Sequence, residues 1–310
     1  MRRRCFLKGV GAAGAMAPAT LTRLRAAEHE GPVTSLLVQG QRLFSASQGG
    51  IFEGRGESLK RVRRPEGRVL ALAGNRNFRE WFFCGGRPGE WGMVGCGADG
   101  QTRRIGKDLV YDVALSKDGE VALATGSGRI LTLPAEDWLS AVPVRRHEHT
   151  GIARAVGYGP DGLLASAGLD GALLLSQDRG ESVRILKEHT APVECLAFSE
   201  DGRWLASGAR DGRVRLHDPE SGRLIRTYSG LGMEDEPVAG RLQVRVLSLC
   251  WCEGGILAGV SNGGIYDLSL KAAEWKRRHF LRSGPVFGLA DHAGIIVAGS
   301  KQLVGIRNQP

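Results

Sequence analysis

Between His149 and Asp218, short apolar runs alternate with polar turns, and the whole pattern occurs twice. The first copy reads HTGIARAVGYGPDGLLASAGLDGALLLSQD and the second HTAPVECLAFSEDGRWLASGARDGRVRLHD. His149 falls over His189, Asp161 over Asp201, Ser166 over Ser207 and Asp170 over Asp211, at an offset of 40 residues that becomes 41 after one insertion. A self-similar period of this size marks a repeat architecture. Within the second copy, Val193, Cys195 and Ala197 alternate as one face of a half-buried strand. The turn S-E-D-G follows, with Gly202 expected at positive φ because a residue without Cβ adopts it at no steric cost. Trp204–Ser207 reads as a second strand, Asp211-Gly212 as a tight hairpin turn, Val214–Leu216 as a third strand and Arg223–Thr227 as a fourth.

Four short antiparallel strands in about 40 residues make one blade of a β-propeller. Weaker copies align on their first strands, which start at Val33, Val69, Val110, Ala153, Val193, Val246 and Val286, with spacings of 36, 41, 43, 40, 53 and 40. The sequence therefore predicts an all-β chain of seven four-stranded blades, with six or eight as the alternatives. The strongest repeats span 147–187 and 188–230. The one long insertion, LGMEDEPVAGR, separates units five and six; its Glu234, Asp235 and Glu236 read as a solvated loop, or as a contact for a basic partner.

The second copy resembles a WD repeat: a Glu-His opening, F-S-x-D-G, L-A-S-G and D-G-x-V-R-L, ending in His-Asp where the family has Trp-Asp. In that family His, Ser or Thr, Asp and Trp form a buried hydrogen-bonded tetrad. The resemblance assigns His189, Ser207 and Asp211 to it in the second copy, with His217 in place of Trp. It assigns His149, Ser166 and Asp170 in the first, with Ser176 in place of Trp. The family's usual role implies a non-catalytic platform for other proteins, which bind on the rim and mouth of the ring.

The first residues follow a different rule. Arg3, Arg4, Phe6, Leu7 and Lys8 resemble the twin-arginine export signal, and a Gly/Ala-rich run from Gly9 to Ala19 comes next. That run is too short to span a bilayer, which takes about 20 apolar residues. Residues 1–27 are thus read as an export signal, placing the mature chain in the periplasm without a membrane span; a basic tail on a cytoplasmic protein is the alternative. Leu21–Arg25 also sits where a strand closing the last blade belongs, so residues 28–310 form the propeller with or without help from the leader. Gly9-Val10-Gly11-Ala12-Ala13-Gly14 matches a dinucleotide-binding pattern, but only eight residues precede it and no βαβ unit follows, so it is rejected.

Charge changes the picture once the leader is set apart. Six of the 42 basic residues and none of the 33 acidic ones fall in residues 1–27, so the total of +9 drops to 36 against 33, or +3. The nucleic-acid reading weakens accordingly. Two basic clusters persist, Arg61–Arg64 and Lys276–Arg278, on expected outer strands, where charge discourages edge pairing; a phosphate-binding rim is the sharper alternative.

Candidate chemistry is sparse. Outside the leader lie Cys84, Cys96, Cys195, Cys250 and Cys252. Cys84 and Cys96 flank a turn on neighbouring strands, so an exported chain could join them as a disulfide, and a pair of facing buried thiols is equally open. No metal or cofactor motif is present, and no catalytic residue is assigned. His147-Glu148-His149 could hold a metal, but His149 occupies the repeat's own His position. The rival function is an enzyme, or a small-ligand or metal binder, using the central channel, with Asp112, Glu194 and His292 as its nearest inward candidates. A monomeric ring binding proteins is the favoured reading.

Overall fold

Each of the seven expected unit starts lies within two residues of the beginning of a separate antiparallel sheet. The computed structural model describes residues 29–307 apart from 56–57, 75–79, 178–181, 233–243, 253–254, 283, 293–294 and 302. The first strands are Ser35–Gln39, Arg68–Gly74, Val110–Leu115, Ala153–Tyr158, Val193–Phe198, Val246–Cys252 and Gly288–His292. Six sheets have four strands in sequence order from inside to outside, and the seventh has three among the described residues. The fold is a seven-bladed β-propeller. The acidic loop residues Glu234–Glu236, the leader and its candidate closing strand at 21–25 all lie outside the described residues.

Local sequence sets each blade. Gly202 and Gly212 take φ of 72° and 70° in the first two turns of blade 5, a region that costs other residues a steric penalty. The Asp211 carboxylate accepts the Arg213 N–H at 3.0 Å, and Asp170 accepts the Ala172 N–H at 3.1 Å, so each hairpin turn is braced by its own aspartate. The second strands Leu164–Gly168, Leu205–Ala209 and Gly255–Val260 are buried along their whole length. Both faces of these strands meet neighbouring blades, so they read as continuous small apolar runs. The fourth strand Ser182–Leu186 is exposed except at its last residue.

Packing between blades, rather than within them, makes the core. Each adjacent pair shares one apolar cluster, seven in all around the ring. Between blades 4 and 5, for example, Ala165, Ala167 and Leu173 pack on Val193, Leu205 and Ala209. Blades 7 and 1 close in the same way: Val33, Leu43 and Phe52 pack on Val297 and Leu303, and the Val33 N–H donates to the Ser300 carbonyl at 2.7 Å. Because burial of apolar area drives the assembly, no blade is complete without its neighbours.

The Cys84–Cys96 disulfide entertained from the sequence is not formed. Strand register sets Cys84 opposite Val94 and Cys96 opposite Phe82, so the two cysteines are diagonal rather than directly paired. Diagonal positions lie about 7–8 Å apart, beyond the usual Cα separation of a disulfide. Both are buried free thiols in the apolar cluster between blades 2 and 3.

Candidate functional site

Two groups of polar side chains stand out against this apolar frame. The first is buried between sheets. In blade 4, His149 Nδ1 lies 3.0 Å from Asp170 Oδ1 and His149 Nε2 lies 2.8 Å from Ser166 Oγ. His147 Nε2 also reaches Ser166 Oγ, at 2.7 Å. The carboxylate accepts from Nδ1–H of His149, which leaves its Nε2 to accept the Ser166 hydroxyl proton. Ser166 must then accept from His147 Nε2–H, and His147 keeps a bare Nδ1 that has no partner among the described residues. The H-x-H spacing puts both imidazoles on one face of an extended segment, a signal that sequence reading could have used for His147.

Blade 5 is wired differently. His189 Nε2 lies 2.7 Å from Ser207 Oγ, but Arg215 comes between His189 and Asp211. Arg215 Nη1 is 2.5 Å from His189 Nδ1 and 3.4 Å from Asp211 Oδ2. A guanidinium only donates, so His189 carries its proton on Nε2, the opposite tautomer to His149. Burial, then Arg215 and His217, push the His189 imidazole down to about 3. His217, in the position the family gives to Trp, is fully buried with both ring nitrogens unpartnered among the described residues. Blade 1 has a third such contact, His29 Nε2 to Ser45 Oγ at 2.9 Å, with the His29 ring 4.5 Å from that of Phe52.

The Ser166–His149–Asp170 order resembles the wiring of a hydrolytic triad. Its accessibility does not: Ser166 is 0% and His149 3% exposed, so no acyl group can reach the hydroxyl. The arrangement is a staple joining the entry loop, second strand and hairpin turn of one blade.

The second group lines the central channel, a cavity of about 590 Å³ bounded by all seven first strands. The residue after each unit start faces it: Thr34, Leu70, Tyr111, Arg154, Glu194, Leu247 and Phe287. Along one arc these side chains join. Arg154 sits 5.0 Å over the Tyr111 ring. Arg154 Nε is 2.8 Å and Arg210 Nε 2.5 Å from the Glu194 carboxylate, and Arg245 Nη1 is 4.0 Å away. Burial acts to raise the Glu194 carboxyl, and Arg154 and Arg210 outweigh it, so it lies below its ordinary value.

Asp112 lines the same channel but belongs to a different set. Its carboxylate accepts the Val113 and Val156 N–H groups, both at 2.9 Å. Ser35, Cys195 and Ser248 hold the equivalent position, the second after the unit start. Ser35 Oγ accepts the Leu72 N–H of blade 2 at 3.1 Å, and Ser248 Oγ donates to the Val286 carbonyl at 2.9 Å. Asp112 is thus a latch from blade 3 to blade 4. Burial pushes its carboxyl up to about 6, against the two backbone donors and Arg154. The side chain of His292 lies outside the described residues. Among the described residues no three His, Cys, Asp or Glu groups converge as a metal site, and no helix is long and apolar enough to cross a membrane.

The basic clusters sit on outer strands. Arg61 and Arg64 each lie 3.6 Å from Glu30, and Arg278 binds Asp267 at 2.8 Å.

Comparison with known proteins places this geometry. Residues 180–218 match the family model "WD domain, G-beta repeat", which covers the end of blade 4 and most of blade 5. The chain is 29% identical over 128 residues to the periodic tryptophan protein 2 homolog of Caenorhabditis elegans, covering 40% of this chain and 14% of that protein. It is 32% identical over 145 residues to human WD repeat-containing protein 90, covering 46% of this chain and 8% of that one. The chain therefore spans a small part of the length of these relatives. The WD40 β-propeller domain of Doa1 superimposes with a TM-score of 0.70 over 91% of this chain and 94% of that one, at 17% identity, a likeness of fold alone. The family match and the named relatives support a WD40-repeat assignment.

Proposed function

We propose that this chain, a propeller similar to WD40-repeat proteins, is a non-catalytic platform that binds other proteins through the loops at the rim and mouths of its ring, and that it is exported by the twin-arginine route. One observation carries the platform reading. The Ser–His–Asp constellations are sealed inside the blades, with Ser166 and Ser207 both 0% exposed, so the accessible chemistry is that of loops held at fixed positions by seven inter-blade clusters. A rigid frame presenting many loops suits multipoint recognition.

Export is supported by the motif Arg3-Arg4-x-Phe6-Leu7-Lys8. It is tested by fractionating producing cells and measuring the intact mass in each fraction. A shortened form outside the cytoplasm, cut within or just after residues 1–27, supports export; an uncut cytoplasmic chain refutes it. The platform reading is tested by tagging the chain and following complexes from each fraction by size-exclusion chromatography. A stoichiometric protein partner supports it, and elution as a free monomer from every compartment refutes it.

A further inference from the structure

The two arcs of the channel differ in chemistry. On one side Arg154, Arg210 and Arg245 surround the carboxylate of Glu194, and with Asp112 of the same channel, on which Arg154 also acts, counted as a second carboxylate, at least one guanidinium charge is in excess. The Glu194 side chain is 3% exposed, whereas those of Arg154, Arg210 and Arg245 are 33%, 38% and 45% exposed. The acid is therefore the floor of the cluster and the guanidinium groups are its solvent-facing rim. Beside them, Leu247 and Leu249 of blade 6 and Phe287 and Leu289 of blade 7 line an apolar arc, with Thr34 and Ser35 of blade 1 between it and Leu70 of blade 2, and Phe287 keeps 37% of its surface exposed.

This division is not required by the fold. Blades are joined by the apolar clusters and by the latches one position further along, at Ser35, Asp112, Cys195 and Ser248. A ring of like residues would serve packing equally well at the channel-facing positions. Guanidinium groups recognise planar anions through paired N–H donors, and a concave site of several hundred Å³ with an apolar wall and a few convergent polar groups is the usual form of a ligand pocket.

We propose that the channel binds an amphipathic carboxylate: an apolar body seated on the Leu247–Phe287 arc, with its carboxylate on Arg210 and Arg245. A more heavily hydrated dianion would gain the same guanidinium contacts but lose by facing the leucine arc and Glu194. The carboxylate can come from a free organic acid or from the C-terminal end of a protein with apolar last residues. The site stands on its own geometry, and its failure would leave the protein-binding platform untouched.

The test is titration calorimetry on the full chain with octanoate, octan-1-ol, octylamine, a hexapeptide acid ending in Leu-Phe and its amide. Octanoate or the peptide acid is expected to bind, and the alcohol, amine and peptide amide to bind at least tenfold more weakly. Tighter binding of the peptide acid than of octanoate identifies a protein end as the source, and the reverse identifies a free acid. Arg245→Gln is the chosen variant because its 4.0 Å contact leaves the closer Arg154 and Arg210 pairs with Glu194 in place. It should weaken the carboxylate about tenfold while leaving the melting temperature unchanged. Phe287→Ser should weaken octanoate and leave the response to salt intact. The proposal is overturned if neither carboxylate binds at millimolar concentration, if the alcohol binds as well as the acid, or if Arg245→Gln binds octanoate as the unaltered chain does.

Discussion

Lowering the pH from 7 to 5 should destabilise this propeller, above the pH at which ordinary carboxylates protonate. The perturbation acts on buried imidazoles, among them His147, His189 and His217, which are 8%, 7% and 0% exposed; His29 and His149, also lowered by burial, act in the same direction. Burial is the largest cause in each case, and it holds His147 and His217 down to about 4 and His189 to about 3. An unfolded histidine titrates at about 6.5. The folded chain refuses protons that the unfolded chain accepts, so stability is fully present above pH 6.5 and is lost as pH falls from there toward 4. At pH 5 each of the three costs about 2 kcal/mol, or about 6 kcal/mol together. Asp112 works in the opposite sense. Its folded value of about 6 lies above the ordinary 3.8, so lowering the pH from 7 to 5 returns about 1.5 kcal/mol. The net loss is about 4 kcal/mol, a large part of the 5–15 kcal/mol typical of a folded protein.

Thermal melts at constant ionic strength between pH 7.5 and 5.0 measure this directly. At about 2 °C per kcal/mol for a chain of this size, the midpoint should fall by about 8 °C, with most of the fall below pH 6.5. His217→Phe removes one titrating group and two unpaired ring nitrogens, so it should shrink the fall by up to about half. A midpoint that moves by less than about 2 °C over this range would refute the buried-histidine argument.

The remaining predictions concern single contacts. Ser166→Ala strands two imidazoles and should cost about 2–4 kcal/mol, whereas Ser207→Ala strands one and should cost about 1–2 kcal/mol, as read by urea denaturation; equal losses would contradict the two hydrogen bonds of Ser166, one donated to His149 and one accepted from His147. Arg215→Leu places in blade 5 the residue that blade 4 has at Leu174, and frees His189 to meet Asp211 directly. The His189 pKa should then rise, as followed by nitrogen-15 NMR of the imidazole. Burial pushes the Cys84 and Cys96 thiols up, so both should resist alkylation in the native chain and both should react after unfolding without reductant; a mass 2 Da short of the thiol form would show a disulfide instead.

The blade plan was legible because it is local. The seven residues used to align the units, from Val33 to Val286, are each buried to 0 or 1% exposure. An apolar residue at that point must pack on the next blade, so every unit keeps one and a period becomes visible. Gly202 and Gly212 were legible for the same reason, since a hairpin restricts its own turn residues. The wiring of blade 5 was not. Arg215 is polar at a position where its blade-4 equivalent is Leu174, and only the register of the third strand against Ser207 reveals that its guanidinium enters the His189–Asp211 gap.

The channel was hidden by the logic of the repeat itself. A period is detected where all blades need one residue type, and it is silent where they do not. The position after each unit start touches no shared core, so Thr34, Leu70, Tyr111, Arg154, Glu194, Leu247 and Phe287 are free to differ. Glu194 looked like an isolated acid in sequence because its three guanidinium partners come from other segments: Arg154 lies 40 residues upstream, Arg210 lies 16 downstream at the end of the next strand, and Arg245 precedes blade 6. Asp112 and Glu194 also looked alike, as inward acids one register apart. One is bound by backbone donors and the other by arginines, so the first belongs to the assembly of the ring and the second to what the ring can hold. In a closed repeat, residues that follow the period build the frame, and those that depart from it at the axis decide what chemistry the frame encloses.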